Sequence, residues 1–174
     1  MRDKLLRCLH ASTLIGTLVI AFAVSEAFSG DDGAAPHGRL DGLRFIGTFA
    51  AKGENAGRED TLLFSDGHFW SANCVPCGFS PGVYWVRDVG DAIHFRGQME
   101  SPERGTFTFI GVVRDGQVSA RIHWRKERWY WSLERDFHFE GKATGARVTE
   151  RAARVARVAA AEGRVPKPKS SCPL

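Results

Sequence analysis

Three sets of residues in this sequence have types and spacing that could do chemistry. The first is Cys74-Val75-Pro76-Cys77, with Cys172 almost at the chain end. A Cys-x-x-Cys pair becomes a redox centre when a helix N-terminus lowers the thiol pKa. Here Cys77 runs into Gly78-Phe79-Ser80-Pro81-Gly82, which reads as a loop, so the pair reads as a staple rather than an exchange centre. Cys74, Cys77 and Cys172 allow three single bridges. A small Cys74–Cys77 ring is preferred over a bond to Cys172, because closing a long segment costs more chain entropy. Two cysteines without a second pair or a nearby histidine pair are a poor zinc set, and no metal ligand is assigned.

The histidines are the second set. His94, His123 and His138 fall out of phase with the apolar residues of their own segments, which places them on a wet face rather than around a metal. No HExxH motif, nucleophile elbow or phosphate-cradling glycine loop occurs, and Glu100, Glu103 and Asp136 fall where turns are expected. No catalytic residue and no cofactor is therefore assigned. An enzyme or thiol-redox protein built on the Cys74 to Gly82 loop is the alternative, and it predicts a buried polar group with a perturbed titration. The third set is aromatic: Trp70, Trp85, Trp129, Tyr130 and Trp131 offer flat faces to an apolar ligand, and the Trp129-Tyr130-Trp131 run exposes an aromatic to each side of a strand.

What must position these residues is a sheet. Apolar residues recur at every second position in Leu43-x-Phe45-x-Gly47-x-Phe49, Phe107-x-Phe109-x-Gly111, Val118-x-Ala120-x-Ile122-x-Trp124 and Phe137-x-Phe139. Short turn signals separate them, among them Ser65-Asp66-Gly67, Arg114-Asp115-Gly116, Lys126-Glu127 and Glu134-Arg135-Asp136. The pattern predicts an all-β, antiparallel up-and-down meander of about eight strands, near 43–49, 60–64, 68–74, 83–87, 92–98, 106–113, 117–125 and 128–140. The last is expected to break at Glu134-Arg135-Asp136. Eight strands with tight connections are enough to curl into a barrel and remove both edges. Such short strands with Gly47-Thr48-Phe49, Gly105-Thr106-Phe107 and a tryptophan-rich hairpin resemble the lipocalin or calycin superfamily, in the manner of bacterial lipocalin-like proteins. The likeness spans about 43–141, and it lacks the family's opening Gly-x-Trp. It implies a barrel with room for one small apolar guest, and it carries over no ligand residue.

The flanks have other jobs. Residues 1–27 combine Arg2, Lys4 and Arg7 with an uncharged run from Thr13 to Val24 and the small-x-small sites Ala21-Phe22-Ala23 and Ser25-Glu26-Ala27, the pattern of a secretory signal peptide. Cleavage at the second site starts the mature chain at Phe28, in a periplasmic or extracellular compartment. The apolar run is short for a membrane anchor. Residues 28–42 read as a flexible lead-in, 43–141 as the barrel domain, and 142–174 as a basic tail. The chain's formal charge of +4 belongs to that tail: 28–141 holds 13 basic against 16 acidic residues, so no basic field for nucleic acid exists there. Ala146 to Glu162 predicts a C-terminal α-helix with Val148, Ala152, Val155 and Ala159 on one stripe, docked on the barrel or touching an anionic membrane surface or an acidic protein. Gly163 and Pro166-Lys167-Pro168-Lys169 end it. The composite expectation is an exported, disulfide-bearing, non-catalytic barrel that binds a small apolar ligand or another envelope component. A structural or interaction protein acting through its outer face and basic helix is the further alternative.

Overall fold

The computed structural model describes residues 35–36, 38–54 and 56–162. The expected signal peptide, Cys172 and the Pro/Lys-rich end lie outside the described residues. The chain forms β1 (Ala35–Pro36), β2 (Arg44–Ala51), β3 (Arg58–Ser65), β4 (His68–Ser71), β5 (Gly82–Val89), β6 (Ala92–Ser101), β7 (Gly105–Arg114), β8 (Gln117–Glu127), β9 (Ser132–Ala143) and α1 (Glu150–Glu162). Each strand from β3 onward pairs antiparallel with the one before it, and β9 returns to pair with β2. Eight strands thus close into an up-and-down barrel, while β1 lies along β5.

The two-residue period is what makes this possible. In β8, Val118, Ala120, Ile122 and Trp124 are buried while the residues between them are exposed, so one face of the strand is the interior. The interior is filled. Phe64 meets Phe45, Phe69, Tyr84 and Phe95 with ring centroids 5.0 to 6.0 Å apart. Rings of this size need bare wall opposite them, and glycines supply it. A Cβ on Gly97 would stand 2.3 Å from the Phe69 ring, and one on Gly111 2.4 Å from the Phe95 ring. The middle of the barrel is a packed core rather than a channel.

One end is sealed. The stretch 28–42, expected as a flexible lead-in, is fixed from residue 38 onward. Leu40 is fully buried, and Asp41 accepts hydrogen bonds from the Tyr84 hydroxyl (2.7 Å) and the Gly67 amide (3.1 Å). Gly42 N–H donates to the Phe64 carbonyl (2.7 Å), which ties this plug to β3. Burial, together with the bond to Asp41, pushes the Tyr84 hydroxyl well above the usual tyrosine range.

Two expectations are corrected. The last strand does not break at Glu134-Arg135-Asp136, nor does the chain turn at Lys126-Glu127. β8 runs through Glu127, and the turn is Arg128 to Trp131, closed by the Arg128 amide donating to the Trp131 carbonyl at 2.8 Å. The charged run stays extended because it has cross-strand partners: Arg125 faces Glu134 (3.6 Å) and His123 faces Asp136 (2.9 Å) on the outer wall. The predicted helix is present, and it docks. Thr149 caps it by accepting from the Ala152 amide (3.3 Å), and Val148 and Ala152 pack against the cluster containing Leu63 and Trp70. The docked face is shifted from the expected stripe, for Ala153 is buried while Val155 stays exposed.

Candidate functional site

The other end of the barrel is open. A pocket of about 750 Å³ lies there, walled by the end of β2, the start of β3, the turn after β4, the start of β7 and the start of β9. Register decides which side chains reach it. Cross-strand partners share a face, and the pairs Gly47 with Asp60, Phe49 with Arg58, Phe49 with Phe139, and Ala51 with Phe137 put successive inward-facing positions along one side of the mouth. The floor is aromatic. Phe49 lies 5.0 Å from Phe137 and 6.1 Å from Phe107, and Phe79 from the loop adds a ring 4.8 Å from Phe107. Above this floor Arg58 and Arg135 occupy inward-facing positions and line the pocket, with Glu54 and Glu59 also in its wall.

The loop wall is held by one carboxylate. Asp60 is only 4% exposed, and it accepts hydrogen bonds from the Ser71 hydroxyl (2.6 Å), the Thr61 amide (2.7 Å) and the Asn73 amide (3.1 Å). Ser71 in turn accepts from the Cys74 amide (3.1 Å). This chain of bonds fixes the segment that enters the 3-10 turn Val75–Cys77, which ends on Gly78 at φ +94°. Burial raises the Asp60 carboxyl above its ordinary range, and its three donors pull the other way.

Cys74 is a free, buried thiol. The preferred Cys74–Cys77 ring is therefore absent. Its turn is already closed by the backbone, with Cys77 N–H donating to the Cys74 carbonyl at 2.9 Å, while Cys74 belongs to the core cluster. Burial pushes the thiol up to about 12, with Asp60 nearby adding to the rise. At such a value almost none of it is thiolate at neutral pH. In the folded protein at pH 8 we expect Cys74 to react with a maleimide at least a hundredfold more slowly than in urea, as read by mass spectrometry. Rapid labelling of the native chain would contradict this packing.

The expected ligand residues lie elsewhere. Trp70 is on the outer wall beneath α1 and is 6% exposed, and Trp85 is on the outer wall of β5 opposite Arg96. Trp129, Tyr130 and Trp131 form the tip of the β8–β9 hairpin. None of the five lines the pocket, whereas Cys74 and Cys77 do. Sequence reasoning passed over Arg58, Asp60, Asn73 and Arg135. A signal existed for three of them. Arg58 and Asp60 are in phase with Leu62 and Phe64, and Arg135 with Phe137 and Phe139, so each is a charge on the apolar period of its strand. Comparison with protein-family models, with curated proteins and with solved structures found no match.

Proposed function

We propose that this chain is an exported, non-catalytic binding barrel, lipocalin-like in architecture, whose open mouth takes one small molecule with an apolar body and an anionic end. The pocket carries this reading: its volume of about 750 Å³ is in the range that holds a small ligand, and its aromatic floor lies under two inward-facing guanidiniums. Among the described residues neither Arg58 nor Arg135 is paired with a carboxylate, which leaves both forks for a guest. A catalytic reading has less support. The Asp60 carboxyl is occupied by three donors, and the Cys74 thiol is held protonated. In an oxidising compartment, two of the three cysteine pairings require Cys74, which is free, so the pairing left for Cys77 is Cys172.

The test uses two fluorescent probes that share one apolar skeleton. Anilinonaphthalene sulfonate carries an anion; N-phenyl-1-naphthylamine is neutral. We expect both to bind the folded protein, and the double variant Arg58→Ala/Arg135→Ala to weaken the sulfonate at least tenfold while changing the neutral probe less than twofold, since about 1.4 kcal/mol corresponds to a factor of ten. If neither probe binds the wild-type chain, the binding reading fails. If both lose affinity equally, the arginines support the fold and the anionic specificity is wrong. Native mass spectrometry of chain recovered from its export compartment would then identify a natural guest.

A further inference from the structure

The β8–β9 hairpin ends in three consecutive aromatics that the fold does not use. Trp129 is 93% exposed, Tyr130 67% and Trp131 45%, and Leu133 beside them is 36% exposed. Their rings touch one another, with Trp129 4.4 Å from Tyr130 and Tyr130 6.1 Å from Trp131. Tryptophan and tyrosine combine an apolar body with a polar handle, the chemistry that settles at the headgroup level of a bilayer. The charges around the tip are not balanced. The hairpin carries Arg125, Lys126, Arg128 and Arg135 against Glu127 and Glu134, and both glutamates face the same guanidinium, Arg125, at 2.9 and 3.6 Å. Arg135 turns into the pocket, so Lys126 and Arg128 remain as a cationic collar below an apolar wedge. A bilayer surface bearing anionic headgroups meets both features together.

We infer that this hairpin seats the barrel on an anionic bilayer surface, with Trp129, Tyr130 and Trp131 entering the interface and the collar pairing with lipid headgroups. Strand alternation adds a consequence. The β2–β3, β4–β5 and β8–β9 connections all emerge at one end of the barrel, so the end that bears the wedge is the end that opens into the pocket. A barrel seated this way turns its mouth toward the membrane, where an amphipathic guest would be found. The seating itself does not depend on the pocket being occupied.

The experiment is co-sedimentation of the full exported chain with vesicles of phosphatidylcholine and phosphatidylglycerol in equal parts, and with vesicles of phosphatidylcholine alone. Tryptophan quenching by brominated lipid is read on the same samples. The expected result is binding to the mixed vesicles with quenching, at least tenfold weaker binding to phosphatidylcholine, and at least a tenfold loss in Trp129→Ser/Tyr130→Ser/Trp131→Ser. That variant changes only exposed side chains, so its circular dichroism and its probe binding stay those of the wild type. No sedimentation with the mixed vesicles overturns the inference. So does binding that survives the triple variant, which would assign the contact to the basic tail. A dimer seen by analytical ultracentrifugation and abolished by the triple variant would show that a second copy covers the tip, and would overturn it as well. Because the probe measurement above reads the pocket in lipid-free protein, failure of the seating and failure of the pocket are told apart.

Discussion

Gly47→Val should open the barrel. Gly47 sits in the middle of the β2–β9 seam, opposite Gly141, and a Cβ there would lie 2.0 Å from the Glu140 carbonyl oxygen and 2.5 Å from the Gly141 Cα. Both obstacles are backbone, so no side chain can swing aside to make room. Overpacking in a tight site costs about 1 to 3 kcal/mol, and with backbone on both sides the cost here should lie near about 3 kcal/mol or above. Failure of the seam also frees the edges of β2 and β9, which are templates for association between chains. Urea denaturation followed by circular dichroism should show the midpoint falling sharply, with aggregation of the variant at micromolar concentration. Gly145→Ala is the control, since a Cβ there meets nothing within 4 Å. A Gly47→Val chain as stable and monomeric as the wild type would show that the seam is not what closes this fold.

The second large effect belongs to Asp60. Asp60→Ala removes the acceptor for the Ser71 hydroxyl and for the Thr61 and Asn73 amides, and Ser71 is itself fully buried. Leaving a buried donor unsatisfied costs about 1 to 3 kcal/mol, so the sum for this site should approach about 3 kcal/mol after partial relaxation. The loop from Asn73 to Phe79 walls the pocket, so loss of probe binding should accompany the loss of stability. Asp60→Asn separates charge from geometry. Its amide oxygen can accept the two backbone donors while its NH2 donates to the Ser71 hydroxyl oxygen. Burial raises the Asp60 carboxyl in the folded state, so the folded chain holds its proton more tightly than the unfolded chain does. The stability this contributes is complete below the ordinary carboxylate value of 3.8 and is lost as pH rises through the raised folded value. The wild type should therefore weaken relative to Asp60→Asn as pH climbs from about 4, and the difference should level off above the folded value. The comparison is needed because Asp136 runs oppositely. Its bonds to His123 and Lys52 hold it below the usual range, and that contribution fades as pH falls. A flat difference between Asp60→Asn and the wild type across the acid range would mean that Asp60 is not desolvated.

The barrel was legible because its grammar is local. Alternation in runs such as Val118 to Trp124 gives strand, face and interior at once, and Asp66-Gly67 and Asp115-Gly116 mark hairpins in the left-handed backbone region, at φ 51° and 75° for the first pair and 50° and 71° for the second. What alternation cannot give is which outer-wall residue another element will cover. Phe69 and Trp70 are neighbours on opposite faces, and Trp70 stands buried on the outer wall between the Val75-Pro76 turn and the start of α1. Nor does it say how far a charged strand continues. Glu134 and Asp136 stay extended because Arg125 and His123 face them across the sheet, information held in another strand. The lining of the pocket was missed for a related reason. Arg58, Asp60 and Arg135 read as ordinary polar residues until register shows that they stand on the interior face, toward the open end of the barrel.

The ring also has a history written into its order. Each barrel strand from β2 to β8 lies beside its successor in sequence, so hairpins can add one after another as the chain becomes available. The closing pair joins the first barrel strand to the last: beside it the Thr144 amide donates to the Arg44 carbonyl at 2.8 Å, across a separation of 100 residues. Until those final residues arrive there is an unfinished, curved ribbon with two adhesive margins and no vessel.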